Sequence, residues 1–167
     1  MKAIILAAIV FAAGTANAQV PSGSYTAITS GNEGNVAIEQ ATADLNFIKR
    51  PIARRRLRKA NPVMRTLAIR VVGDSVEVTL NDQWILRTKL GSIREWRGYN
   101  SEPLQVSTEL KDGVLTNTFV ARDGKKQNRY VLRGDELELQ VRITSPRLRH
   151  AVEYVQRFRK SSSAEQT

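Results

Sequence analysis

The stretch GDELELQVRIT, from Gly134 to Thr144, decides the fold. Its Leu, Val and Ile residues stand two apart, and charged or amide residues fill the positions between them. A period of two is that of a β-strand with one face in a core and the other in water. Gly-Asp opens this stretch, and Asp-Gly follows Lys111 and Arg122. Such pairs between alternating runs predict hairpin turns, so this part of the chain is an antiparallel sheet.

The same alternation extends outward and covers the chain from Thr66 to Lys160. The runs are Leu67–Val71, Val76–Leu80, Trp84–Leu90, Ser92–Trp96, Leu104–Leu110, Val114–Ala121, Gln127–Arg133, Glu136–Thr144 and Val152–Phe158. Their order predicts a mainly β fold, an antiparallel up-and-down meander of eight or nine strands. A sheet of this size curls, and closing it into a barrel removes the exposed edges. A barrel of eight strands is filled by its own side chains or holds one small ligand.

Before the strands, the hydrophobic period changes to that of a helix. Apolar residues recur at three- and four-residue steps at Ile38, Ala41, Leu45, Ile48 and Ile52. This spacing predicts one buried helical stripe, with Asn35 as the N-cap. Pro51 interrupts the pattern and predicts a kink or the start of a second helix. We expect this helical segment to precede the meander and to pack on or in the barrel.

The helical segment also begins a run of positive charge between Asp44 and Asp74. No acidic residue interrupts the nine cations Lys49, Arg50, Arg54, Arg55, Arg56, Arg58, Lys59, Arg65 and Arg70. One interpretation is that Arg54, Arg55, Arg56 and Arg58 form a single outward surface for an anionic membrane or an acidic protein. The other is a solvated helix face. Nucleic acid is not an expected partner, because the sequence offers neither stacking platforms nor a recognisable nucleic-acid-binding module.

The turns of the meander carry a resemblance to a known superfamily. The stretches GDSVEV from Gly73, LKDGVL from Leu110 and GDELEL from Gly134 are similar in rhythm to the meander of the lipocalin and fatty-acid-binding barrels. The resemblance covers Thr66 to Lys160, and it implies a calycin-like barrel around a small apolar or amphipathic ligand. Fatty-acid carriers place an inward Arg-x-Tyr pair on the last strand, where this chain reads Gln156-Arg157-Phe158. No binding residue is therefore carried over from the family.

The ligand-site candidates come from the phase of the strands. If Leu115, Phe119, Leu132 and Phe158 face inward, polar residues at the same phase also face inward. The predicted ligand-binding residues are Trp84, Asn117, Phe119, Tyr130, Tyr154 and Gln156, with Asn128 at the same phase. A few polar groups in an apolar cavity fix the orientation of a ligand. The alternative is a barrel filled by the helix, in which these groups satisfy each other and the basic surface contacts a partner.

The sequence argues against catalysis and against a metal or cofactor. It has no Cys and a single histidine, His150, so no metal-ligand cluster forms from these residue types. It contains no Gly-x-Ser-x-Gly nucleophile motif either. We expect a monomeric binding protein that is not an enzyme.

The two ends of the chain predict its organisation and its compartment. Met1-Lys2, an apolar run from Ala3 to Ala13 and Ala16-Asn17-Ala18 form the pattern of a signal peptide over residues 1–18. A Ser-, Thr- and Gly-rich flexible arm is expected over 19–34, one domain over 35–160 and a disordered tail over 161–167. The expected protein is soluble and is periplasmic or secreted.

Overall fold

The computed structural model describes residues 19–97 and 101–161. The expected signal peptide and residues 162–167 of the expected tail lie outside this range. Ten strands and two helices follow one another in chain order. They are β1 (Gly23–Ala27), α1 (Glu33–Ala41), α2 (Lys49–Ala60), β2 (Thr66–Val72), β3 (Ser75–Leu80), β4 (Trp84–Lys89), β5 (Ile93–Arg97), β6 (Pro103–Lys111), β7 (Val114–Ala121), β8 (Gly124–Arg133), β9 (Glu136–Thr144) and β10 (Val152–Lys160).

All ten strands form one antiparallel sheet in the order β4-β3-β2-β1-β10-β9-β8-β7-β6-β5. The predicted class is confirmed: the sheet is a meander that curls into a nearly closed barrel. Strands β4 and β5 stand at the two ends of the order, and within the described ranges no ladder of hydrogen bonds joins them. We call the line where these two edges meet the seam.

The tenth strand, β1, lies within the segment that was expected to be a flexible arm. It is paired on both sides, with β10 and with β2. Tyr25 points into the barrel and is only 1% exposed. The sequence signal was poor because the strand is five residues long and Tyr25 is its one large inward side chain. Residues 23–27 of the expected arm are therefore part of the sheet, and Glu33 and Gly34 begin α1.

The helical segment is two helices, and they lie between β1 and β2 instead of before the meander. Helix α1 begins at Glu33, so Asn35 is in its first turn and is not the N-cap. The Asn46 side chain accepts a hydrogen bond from the Lys49 N–H at 2.8 Å, which satisfies a free N–H at the start of α2. Pro51 is the third residue of α2, where the absence of an N–H costs no helical hydrogen bond.

The break between the helices explains why the predicted apolar stripe is only half correct. Ile38 and Ala41 are buried where α1 packs on β10. Ile48 and Ile52, predicted to be buried, are 60% and 54% exposed. Helix α2 starts a new axis, so the phase set by α1 no longer applies to it. Leu57 is the residue of α2 that packs, partly buried, against the core.

The core lies inside the barrel and comes mainly from the inner face, the side of each strand that points toward the barrel axis, with Ile38 added by α1. The largest fully buried side chains are Tyr25, Tyr130, Phe158, Ile38, Leu67, Leu86, Leu115, Leu137 and Leu139. Each such residue contributes about 1.5–3 kcal/mol by leaving water. Among the residues that the structure covers, no helix has both the length and the apolar character needed to cross a bilayer.

Candidate binding site

A row of polar side chains crosses the inner face in an otherwise apolar interior. Its buried members are Thr88, Thr108, Asn117, Asn128 and Gln156. Thr108, Asn117 and Asn128 are register partners on β6, β7 and β8. Directly opposite residues on antiparallel strands share a face and lie about 5 Å apart, so these side chains are immediate neighbours.

Part of this polar row is satisfied by its own members. The Thr108 hydroxyl donates to the Thr88 hydroxyl at 2.7 Å, and the Asn117 amide donates to Thr108 Oγ1 at 2.8 Å. The first of these bonds joins β4 to β6 across the seam. The Oδ1 atoms of Asn117 and Asn128 are buried, and no described residue donates a hydrogen bond to either of them. Buried polar atoms are nearly always paired, so these two acceptors point to a donor from water or a ligand.

One buried and one half-buried tyrosine adjoin the polar row: Tyr130 follows Asn128 on the inner face of β8, and Tyr154 on β10 lies beside α1. The Asn128 amide donates to the Tyr130 hydroxyl at 3.5 Å. Burial raises the pKa of Tyr130 to about 12, although the Asn128 hydrogen bond opposes this shift. Burial also raises the pKa of Tyr154, and the charge of Glu33 and the neighbouring Tyr130 add to the effect. Both phenols therefore keep their protons at physiological pH and are available as donors.

The structure brings together most of the residues that were predicted to bind a ligand. Asn117, Phe119, Tyr130 and Gln156 are buried on the inner face, and Tyr154 is half-buried at the same phase of β10. Trp84, the first residue of β4, is half-buried and packs against the core. Their placement agrees with the phase of the strands, and their role in binding stays a prediction.

Three inner-face residues escaped the sequence reasoning. Thr88 and Thr108 fit the alternation, each two residues after a buried aliphatic residue, but neither was named as a candidate for the binding site. Lys126 was missed because the predicted strand began at Gln127, whereas β8 begins at Gly124. The register of Lys126 with Phe119 and Ile143, both buried, places it on the inner face.

The basic segment does not form the single outward surface that was expected. Arg54 Nη2 lies 2.5 Å from a carboxylate oxygen of Glu39 on α1, and Arg58 pairs with the other oxygen. Arg54 also donates to the Thr42 hydroxyl at 3.0 Å. Arg55 and Arg56 are exposed. The four arginines are therefore divided, because Glu39 from the preceding helix neutralises one side of α2.

Two surface pockets border the helices. One, of about 430 Å³, is lined by Glu39, Arg50, Pro51, Arg54, Arg55 and Arg58. The other, of about 390 Å³, lies between α1 and β10 and includes Glu33 and Tyr154. In the described part of the chain, no group of His, Asp and Glu side chains is arranged to hold a metal ion.

No family model and no curated protein matches this sequence. Solved structures do match in shape. Fatty-acid-binding protein 1 of Echinococcus granulosus is 16% identical, with a TM-score of 0.57 over 84% of this chain and 97% of that chain. The Schistosoma mansoni fatty acid binding protein in complex with arachidonic acid is also 16% identical, with a TM-score of 0.54 over 84% of this chain and 96% of that chain.

A third structural match has a different description. It is a secretory abundant heat soluble protein from Ramazzottius varieornatus, 16% identical, with a TM-score of 0.58 over 86% of this chain and 96% of that chain. At these identities the likeness establishes architecture and leaves the ligand open. The chain has the fold of the fatty-acid-binding barrels.

Proposed function

We propose that this protein is a monomeric, non-catalytic carrier that binds a small apolar or amphipathic, lipid-like molecule inside its barrel. The observation that carries the proposal is the pair of buried, unpartnered oxygens of Asn117 and Asn128 in an apolar interior. A ligand that carries a hydroxyl or amide donor, or a water held between the ligand and the protein, would donate to these oxygens while the apolar part of the ligand contacts the core. The fold supports the same function, because two proteins that share it are described as fatty-acid-binding proteins.

The test is a substitution that fills the interior of the barrel next to the polar row. Val141 lies on the inner face between Asn128 and Tyr154, and Val155 lies on the outer face of β10. We expect wild-type protein to bind cis-parinaric acid, a fluorescent fatty acid, and to carry copurified lipid in native mass spectrometry. Val141→Phe should abolish both signals, whereas the matched control Val155→Phe should retain them.

Circular dichroism and a thermal midpoint establish that each variant is folded, because overpacking a core costs about 1–3 kcal/mol. If Val141→Phe does not fold, Asn128→Leu is the second variant, since it keeps the branched shape of the side chain and removes the amide. Wild-type protein that binds no probe and carries no lipid contradicts the carrier function. If Val141→Phe folds and still binds the probe as tightly as wild type, the interior of the barrel is not the binding site.

A second candidate function is docking of α2 on an anionic membrane surface. Phe47, Ile48 and Ile52 are exposed at the start of α2, and Phe47 is 83% exposed. Arg55 and Arg56 stand beside them on the same helix. Apolar side chains enter the headgroup region of a bilayer while neighbouring cations pair with lipid phosphates. The Glu39 ion pairs hold α2 to α1 without covering this side.

Vesicle cosedimentation tests this second function. Arg55→Gln/Arg56→Gln should weaken binding to phosphatidylglycerol-containing vesicles roughly thirtyfold, at about 1 kcal/mol for each charge near the surface. The control Arg70→Gln/Lys111→Gln removes the same charge from exposed positions outside the helices. If wild-type protein does not cosediment with such vesicles at low salt, this function is wrong and α2 is only a solvated helix.

We also propose that the carrier acts in the periplasm or outside the cell, after removal of residues 1–18. The support is the signal-peptide pattern of the sequence. The intact mass of protein recovered from a bacterial periplasm should correspond to a chain that starts at Gln19. A recovered chain that still starts at Met1 contradicts the proposal.

A further inference from the structure

Lys126 is a cation inside the end of the barrel where the helices pack. It is half-buried and stands directly opposite Phe119 on β7 and Ile143 on β9. In a meander, the start of β8, the end of β7 and the start of β10 meet at one end of the barrel. Helix α1 packs at that end, where a Cβ on Gly34 would lie 3.2 Å from the Tyr154 ring. We call this end the mouth.

Aromatic rings form the wall beside the ammonium. The Lys126 Nζ atom lies 6.0 Å from the centroid of the Phe119 ring. The Trp96 and Phe119 ring centroids are 5.7 Å apart, with 54° between the ring planes. An ammonium over an aromatic face regains only a fraction of the hydration free energy that it loses on burial. The rings therefore do not replace a counterion.

Lys126 forms none of the ion pairs between described residues, and burial lowers the pKa of its ammonium to about 8. The inner faces of the flanking strands offer it no charge, since β7 carries Asn117 and Phe119 there and β9 carries Val141 and Ile143. A desolvated cation without a carboxylate partner is unfavourable unless a ligand supplies the anion.

The other charged or titratable groups around this interior do not supply that anion. Arg94 is at the inward phase of β5, but its guanidinium donates to the Arg87 and Glu95 carbonyls at the seam. Tyr130 and Tyr154 stay neutral because their pKa values are raised. Glu33 on α1 lies beside Tyr154 and accepts a hydrogen bond from Ser30.

The end of the barrel opposite the mouth is neutral. Gln156 of the polar row lies opposite Leu139, and the next inner-face residues toward this end are Leu137 and Phe158, both fully buried. Among the described residues, the interior therefore passes from one cation at the mouth, through the neutral polar row, to an apolar floor. An amphipathic anion fits this order of environments in one orientation only, with its charged group at the mouth and its apolar part at the floor.

We infer that Lys126 binds the anionic head group of the ligand at the mouth, so that the ligand lies with its head outward and its apolar tail toward Leu137 and Phe158. This inference rests on the proposed carrier function and adds the charge and the orientation of the ligand. The head group is an oxyanion, either a carboxylate or a phosphate, and Phe119 and Trp96 contact the first methylenes of the tail.

The experiment compares three ligands of one chain length: a long-chain carboxylate, its methyl ester and the alkyl phosphate. Calorimetry is done on wild type, Lys126→Gln, Lys126→Arg and the control Lys125→Gln. Lys125 is the preceding, exposed residue of β8 and faces outward. Lys126→Gln should weaken the carboxylate or the phosphate about tenfold or more and leave the ester unchanged. Lys126→Arg should retain anion binding, and Lys125→Gln should behave as wild type.

The pH dependence gives a second measurement. The preference for the anion over the ester should disappear as the pH rises through the pKa of Lys126, because the ammonium loses its charge while the ligand keeps its own. In the complex this midpoint lies above about 8, since the bound anion stabilises the ammonium. Lys126→Gln should show no such transition.

The outcomes separate this inference from the carrier function. If neither the anions nor the ester bind to wild type, the carrier function fails and the inference fails with it. If the ester binds as tightly as both anions, or Lys126→Gln weakens all three ligands equally, the carrier function stands and the head-outward anchor is wrong. A phosphate that binds more tightly than the carboxylate supports the anchor and identifies the head group.

Discussion

At the scale of single residues, the alternation in β9 decides which substitutions matter. Leu139 is buried between Tyr130 on β8 and Gln156 on β10. Leu139→Ala should destabilise the protein by about 2–5 kcal/mol, because the cavity adds to the lost burial. Val155→Ala on the outer face should change stability by about 0.5 kcal/mol or less. Denaturant midpoints measure both values, and equal effects would contradict the assignment of the faces.

Glu138 lies on the outer face of β9, and its carboxyl group makes the stability of the fold depend on pH. A hydrogen bond and the charge of Arg133 lower the pKa of this carboxyl against an opposing effect of burial, with help from Gln140 and Arg157. A lowered carboxyl pKa stabilises the fold above the unfolded-state pKa of about 4.3, and this stability disappears as the pH falls through the folded value.

Glu138→Gln should therefore flatten the loss of stability between about pH 5 and pH 2. At pH 7 it should cost about 1 kcal/mol or less, as for other ion pairs near the surface. Urea titrations of both proteins across this range are the measurement. A variant with the same acid profile as wild type would show that other carboxyl groups control acid unfolding.

At the scale of elements, the two helices are joined through one carboxylate. Glu39 of α1 pairs with Arg54 and Arg58 of α2, and Arg50 donates to the Ala43 carbonyl at 2.7 Å. Because α2 has no fully buried residue, these polar contacts and the partly buried Leu57 position it.

Glu39→Gln should release α2 while leaving the barrel intact. We expect amide protons in α2 to exchange faster with deuterium and the global thermal midpoint to shift only by about 1–3 °C. Gln40→Glu is the matched control, since it places a carboxylate on the neighbouring exposed residue. Unchanged exchange in α2 would show that Leu57 packing alone holds the helix.

Some elements could be predicted from the sequence and others could not. The long strands were predictable because four or five inward side chains set their period, as in β9. Strand β1 was not, since Tyr25 alone carries its inward signal. The stripe through Ile48 and Ile52 assumed one helix axis, and the turn around Asn46 changed that axis. Lys126 was hidden by a strand boundary placed three residues too late, which is the usual error of period-based boundaries.

At the scale of the whole molecule, the seam is where isolated backbone and side-chain hydrogen bonds take the place of a ladder. Gly91 N–H donates to the Thr108 carbonyl at 2.9 Å, and Trp96 Nε1 donates to the Ile85 carbonyl at 3.4 Å. Inside the barrel, the Thr88–Thr108 hydrogen bond joins β4 to β6 across the seam, and Thr108 also accepts a hydrogen bond from Asn117 on β7.

Thr108→Val keeps the shape of the side chain but removes the hydroxyl that both neighbours use. The loss should destabilise the protein by about 1–3 kcal/mol, because buried polar atoms on Thr88 and Asn117 lose a partner. Chemical denaturation measures the value, and Thr116→Val, on the neighbouring outward phase of β7, is the control. A neutral Thr108→Val would mean that water replaces the hydroxyl.

The seam also affects what the barrel can hold. A cylinder closed by backbone ladders all the way round has a fixed circumference, because widening it breaks several hydrogen bonds at once. Here the ladder is interrupted between β4 and β5, so the girth can increase by giving up a few isolated hydrogen bonds. Straight, branched and ring-bearing tails of unequal width should therefore be accommodated at similar energetic cost. Selectivity would then come from the polar end of the guest molecule and only weakly from its thickness.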